Sequence, residues 1–161
     1  MKGRLMKNAM FVQTAIGRVG IAENGEAITD VFVGDMPGPP EMVLAETPLL
    51  LEAARQLLEY ARGERQTFDL PLAPTGTAFE RSVWRELERI PYGETRSYAQ
   101  IAEAVGSSKG FRAVGRANGR NRIAIVIPCH RVIGSNGKLT GFAGGLPVKE
   151  SLLALEGICR S

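Results

Sequence analysis

The sequence predicts a small α/β unit with an antiparallel sheet and one main helix over residues 1–74. A mainly helical part over 75–161 follows it. Three observations carry this. Residues 10–34 are short β-prone runs separated by Gly-containing turns. Apolar residues recur at helical spacing after Thr47 and again after Thr77. Further on, two short helical segments are joined by a Gly-containing turn, and the second is basic.

In the first part, Phe11-Val12, Val19 to Ala22 and Ala27 to Val33 read as strands, with turns at Gly17-Arg18 and at Glu23-Asn24-Gly25-Glu26. Asn-Gly is a strong hairpin signal because both residues tolerate positive φ. Gly34 to Pro40 holds three prolines and two glycines and reads as a loop. Thr47 can cap a helix with Pro48 at its first position, and Gly63 ends it. Thr67 to Leu70 reads as a possible edge strand, and 71–76 as the linker.

In the second part, Thr77 to Ile90 is amphipathic, and Pro91-Tyr92-Gly93 breaks it. Ser97 caps a helix from Tyr98 to Val105, stopped by Gly106. After the turn Ser107-Ser108-Lys109-Gly110, a second helix runs from about Phe111 to Ala117. Ile123 to Ile127 reads as a buried strand delivering Pro128-Cys129-His130-Arg131. Pro147 opens a last helix from Val148 to Leu155, with Gly157 at its end.

Charge is distributed unevenly. The window Ala104 to Lys149 spans 46 residues and carries eight positive and no negative side chains. The rest of the chain carries 12 positive and 17 negative, so the overall +3 conceals a basic window. Such a window favours a polyanion, commonly nucleic acid. Two cysteines and one histidine exclude a disulfide scaffold and fall short of a four-ligand zinc site. No apolar run approaches the roughly 20 residues of a membrane span. The basic N-terminal residues Lys2, Arg4 and Lys7 lead into no signal-peptide core, so a cytoplasmic protein is expected.

Cys129 is not placed like a core thiol, because His130 and Arg131 are costly to bury without purpose. Cys159 fits a small buried hydrophobe or a loose terminal thiol. A free thiol is only about 3% thiolate at pH 7. Making it mostly thiolate takes about 4 kcal/mol of differential stabilisation, which an imidazole, a guanidinium or helix-terminal N–H groups could supply. Adjacent residues need not face each other, so His130 would act through a bridging water, with a third group orienting its ring. Glu156 is one of the few acids available, although spacing alone does not establish that pairing.

Pro128-Cys129-His130-Arg131-Val132, following an apolar run and a helix-turn-helix, resembles the active-site signature of the O6-alkylguanine-DNA alkyltransferases, or methylated-DNA–protein-cysteine methyltransferases. The resemblance covers about residues 76–157. It includes Tyr92-Gly93, Ser97-Tyr98, Arg112-Ala113-Val114-Gly115, Asn121, Gly144-Gly145 and Lys149-Glu150 through Glu156-Gly157.

The resemblance implies a ribonuclease-H-like first domain and a winged-helix-like second domain. It makes Cys129 the acceptor of an alkyl group from O6-alkylguanine, and by extension from O4-alkylthymine. His130 becomes the base, acting through water, and Glu156 its holder. Asn121 ties the recognition helix to the active-site turn, Tyr98 donates to the leaving guanine, and Lys149 lies near the thiol. Arg112 enters the duplex in place of a flipped base, and Arg131 belongs to the DNA-facing charge. Ala113, Gly115 and Ala117 allow close approach to the minor groove. Backbone groups of Cys129 and Val132 read the guanine edge, and Phe142 and Ala143 line its pocket.

The implied partner is double-stranded DNA, bound by a monomer with no cofactor, no metal and no membrane. Transfer would be irreversible and would consume the protein, since a thioether has no good leaving group. Phe142 stands where many members have Tyr, and Ala143 where Ser is common. Arg122 replaces the proline that usually follows the asparagine, and Phe111 is bulkier than usual. Two alternatives stand beside this reading. One is a protein that recognises alkylated bases without reacting, which the presence of Cys129 opposes. The other is a Cys-His hydrolase, which leaves the basic window unexplained.

Overall fold

The computed structural model describes residues 6–107 and 110–158. The expectations for Cys159, for Lys2 and Arg4, and for Ser108 and Lys109 of the turn fall outside the described residues. Strand β1 (Lys7–Thr14) pairs antiparallel with β2 (Gly17–Glu23), and β2 with β3 (Ile28–Val33). A short strand β4 (Met42–Leu44) joins the far side of β1 in parallel, giving the order β3-β2-β1-β4. The sheet is therefore mixed rather than purely antiparallel. With three residues and no alternation, β4 has no signal in the sequence.

Helix α1 (Pro48–Ala61) packs on β1 and β2. Thr47 caps it, accepting from the Leu50 N–H at 3.2 Å. The expected strand at Thr67 to Leu70 does not form. The Gln56 side chain takes both backbone groups of Asp69, accepting its N–H at 2.9 Å and donating to its carbonyl at 3.1 Å. That satisfies the backbone polar groups a strand partner would otherwise have met. Only Leu72, beyond this stretch, makes an isolated bridge to Ile28.

Helix α2 (Ala78–Leu87) begins with a reciprocal capping box between Thr77 and Glu80. The two-residue strand β5 (Arg96–Ser97) leads into α3 (Tyr98–Ala104), again through a capping box, between Ser97 and Gln100. Helix α4 (Gly110–Gly119) ends two residues beyond the expected Ala117. A 3-10 turn at Cys129–Arg131 is followed by β6 (Val132–Ile133), parallel to β5, and by α5 (Leu146–Leu155).

Residues 123–127 are buried as expected, apart from the partly buried Val126, but they are not a strand. Ile123 makes a single bridge to Val31, after which the chain coils. Ile125 takes the left-handed region, φ 72°, which is strained for a β-branched residue. The Asn121 side chain substitutes for a strand partner: it accepts from Ile123 N at 3.0 Å and donates to Ile127 O at 2.8 Å. One hydrophobic core runs through both halves of the chain, from Val19, Ile21, Leu50 and Leu57 to Val83, Trp84, Ile123, Ile127 and Leu152. No helix among the described residues is long and apolar enough to cross a membrane.

Candidate active site

The coil at 123–127 leads into the 3-10 turn that carries Cys129, which is buried, 4% exposed. Its carbonyl accepts from the Val132 N–H and from Asn118 Nδ2 at 3.3 Å. Burial pushes the Cys129 thiol up, opposed by a hydrogen bond from Asn121 and the charge of Lys149. Desolvation outweighs the nearby donors, so they do not supply the stabilisation that a resting thiolate would need, and the group rests as a thiol, as a base acting through water requires.

His130 is fully buried, and its Nε2 lies 2.8 Å from Glu156 Oε2. An ionised carboxylate only accepts, so Nε2 carries the proton and Nδ1 is an acceptor. Nδ1 has no hydrogen-bond partner. Burial holds the ring below its ordinary pKa, against the pull of Glu156. Burial raises Glu156, but hydrogen bonds from His130, Arg131 and Tyr60 outweigh it and hold its carboxyl at about 2.

Two cations of the basic window are turned inward. Arg131, 6% exposed, donates to Glu156 Oε1 at 2.9 Å, to Glu156 Oε2 at 3.0 Å and to the Ile90 carbonyl at 2.7 Å. It is therefore a structural clamp on Glu156 and does not face DNA, contrary to expectation. Lys149 is fully buried and donates to the carbonyls of Val132 at 2.7 Å and Thr140 at 3.0 Å. Its charge acts on both Cys129 and His130.

A cleft of about 770 Å³ opens between α4 and the 134–143 loop, bordered by Tyr98, Arg112, Gly115, Asn118, Phe142 and Ala143. Thr140 Oγ1 donates to the Tyr98 hydroxyl at 3.1 Å, which turns that oxygen toward the loop. Arg112 and Arg116 are exposed on the outer face of α4. Ala113 and Ala117 are not on that face. They are 4% and 2% exposed and pack inward, so only Gly115 of the three small residues borders the cleft. The Val132 side chain is fully buried, and its carbonyl already accepts from Lys149. The loop end is fixed from the N-terminal half, where the Asp35 N–H donates to Gly144 O at 3.1 Å.

Sequence reasoning missed Tyr60, Gly93 and Asn118. The Tyr60 hydroxyl and the Gly93 N–H (3.0 Å) both donate to Glu156. No spacing rule links residues 96 positions apart. Asn118 was readable only as a helix terminator.

Residues 78–158 match the family model described as "6-O-methylguanine DNA methyltransferase, DNA binding domain". A methylated-DNA–protein-cysteine methyltransferase of Methanosarcina acetivorans is 49% identical over 159 residues, covering 96% of this chain and 100% of the relative. The chain belongs to this methyltransferase family. The constitutive member from Bacillus subtilis is 52% identical over 153 residues, covering 91% of this chain and 93% of that one. Among solved structures, the Mycobacterium tuberculosis OGT in complex with DNA superposes with a TM-score of 0.86 at 42% identity, covering 92% of each chain. The methyltransferase motif set thus sits on a fold shared nearly end to end.

Proposed function

We propose that this protein repairs DNA by moving an alkyl group from O6-alkylguanine, and from O4-alkylthymine, onto its own Cys129. The observation that carries the reading is the buried pair of Cys129 and His130, with Glu156 fixing Nε2 and leaving Nδ1 as an unpartnered acceptor. A water between the Cys129 thiol and Nδ1 passes the thiol proton to the ring. Glu156 then faces an imidazolium at 2.8 Å. The thiolate attacks the alkyl carbon; an S–C bond forms and the C–O bond to guanine breaks. Tyr98, at the cleft wall, donates to the departing guanine, which finally keeps the proton the thiol lost. The product is a neutral thioether, so each molecule reacts once and needs no cofactor.

DNA reaches the cleft through the exposed face of α4, which acts as the second helix of a helix-turn-helix. In this reading the first half is ribonuclease-H-like and the second winged-helix-like. A base inside a duplex cannot reach a thiol 4% exposed, so the alkylated nucleotide is flipped. Arg112, exposed at the cleft edge, fills the gap from the minor groove. That groove carries a degenerate code, which suits damage in any sequence.

Incubation with a duplex carrying O6-methylguanine, followed by peptide mass spectrometry, tests this. The peptide bearing Cys129 should gain one methyl in place of its thiol hydrogen. An unchanged mass beside intact methylated DNA would sink the proposal.

A further inference from the structure

Glu156 is held by more donors than one carboxylate comfortably accepts. Oε1 receives Arg131 Nε at 2.9 Å and the Gly93 N–H at 3.0 Å. Oε2 receives His130 Nε2 at 2.8 Å, Arg131 Nη2 at 3.0 Å and the Tyr60 hydroxyl. A carboxylate offers about four lone-pair directions, so the donors on Oε2 compete. Arg131 is a permanent cation and balances the carboxylate charge. Apart from the neutral ring of His130 itself, Tyr60 is the one neutral side-chain donor among them. It comes from α1, in the N-terminal half, and is fully buried. Its ring is wedged between Phe68 (centroids 5.5 Å apart) and Tyr92 (6.2 Å, edge to face).

We infer that Tyr60 is a positioning residue of the reaction: its hydroxyl, supplied by the N-terminal half, sets how much of Glu156 remains for His130. This rests on the reading of His130 as the base. Each donor on Oε2 draws electron density away from the bond to Nε2 and so weakens the pull on the ring proton. Tyr60 therefore keeps the imidazole neutral at rest, free to accept the thiol proton. The groups facing His130 and Glu156 come from every side: Tyr60 from α1, Tyr92 and Gly93 from the bend after α2, Arg131 from the 3-10 turn, and Lys149 from α5. Among them only Tyr60 donates to Oε2 through a group whose removal leaves no charge unpaired. Its phenol is pushed upward by burial and by the Glu156 charge, so it stays a donor through the working range.

The test uses Tyr60→Phe, which keeps the ring and deletes the donor. His130 is the sole histidine of the chain, so its ring NMR signals titrate without ambiguity. Without the hydroxyl, the His130 titration should move up by roughly one unit. The acid limb of the transfer rate should move with it, slowing transfer about tenfold at a pH on that limb, while the alkaline plateau changes by less than about threefold. Site-specific 3,5-difluorotyrosine at position 60, a stronger donor, should move both in the opposite direction.

A folded Y60F whose histidine titration is unmoved, or whose rate falls equally at every pH, overturns the inference. If Y60F does not fold, the difluorotyrosine protein decides, and an unmoved titration there overturns it too. Wild-type methylation of Cys129 tests the relay itself, whereas the titration reads Tyr60 whether or not transfer occurs.

Discussion

The outer face of α4 and the space behind Cys129 draw on the same basic window and use it in opposite ways. On α4, Arg112 and Arg116 stand in solvent, and just beyond the helix follow Arg120, exposed but paired with Glu80 at 3.1 Å, and the exposed Arg122. Behind the thiol, Arg131 and Lys149 are buried and spend their donors on Glu156 and on backbone carbonyls. The first group can be removed without disturbing the core. Removing a member of the second leaves buried acceptors or a carboxylate unmatched, which costs far more than a lost surface contact. A count of charges in sequence therefore overstates the charge available to DNA.

The sharpest way to break this comparison is to exchange its two arginines. Arg131→Ala strips Glu156 of two hydrogen bonds and should destabilise the fold by about 3–5 kcal/mol. Thermal or urea melting checks this, and an unchanged midpoint would return Arg131 to the DNA face. Arg112→Ala should leave the melt within about 0.5 kcal/mol of wild type. It should slow repair of duplex DNA much more than reaction with free O6-benzylguanine, and equal slowing of both would refute the flipping role.

Next in size is Asn121→Ala, which leaves the Ile123 N–H without its partner and takes from the Ile127 carbonyl one of its two donors, the other being the Cys129 N–H. A loss of about 2–4 kcal/mol is expected by melting, together with slower transfer. A variant as stable as wild type would mean that the 121–127 coil holds itself.

The dependence on pH should come from the buried side. The folded His130 pKa is depressed, so its contribution is present above the ordinary value of 6.5 and is lost as pH falls below it. Glu156, held at about 2 against an ordinary 4.5, adds a second loss between those values. Cys129 is raised, so its contribution is lost as pH climbs above 9.0. Stability should be greatest between the histidine and cysteine values, and urea midpoints across pH will read it. A stability curve flat down to pH 5 would contradict a neutral buried His130.

Salt gives the smallest and finest measure. Each phosphate neutralised contributes about −0.9 to the slope of log K against log salt. With Arg131 and Lys149 withdrawn, the eight cations of the window leave at most six for DNA. A slope that requires all eight would end the distinction between the two regions.

The helices and the first three strands were legible because caps and periodicity are local. Thr47 and Ser97 cap the helices that their positions predict, and Thr77, expected as the start of its amphipathic segment, caps that helix. The failures share one cause. At Thr67 to Leu70 and at Ile123 to Ile127, a side-chain amide outside the stretch, Gln56 in the first case and the neighbouring Asn121 in the second, bonds to the backbone, and no pattern of apolar residues encodes that. The nucleophile and its histidine were readable from their adjacency. The fate of Arg131 and the arrival of Tyr60 were not, because both depend on packing between elements distant in sequence.

Strand β3 is buried along its whole length, although it lies last in its sheet. Its outer side is covered at Ile28 by residues 71–73 and closed at Val31 by the C-terminal half: Val31 donates to Arg122 O at 2.9 Å and accepts from Ala124 N at 3.0 Å. An uncovered strand this apolar is a template for intermolecular pairing. On the ribosome, β3 emerges long before residues 122–124 exist to cover it. The first half of the chain must therefore pass through an interval in which its stickiest edge is bare, and its solubility is guaranteed only once the reactive half has been made.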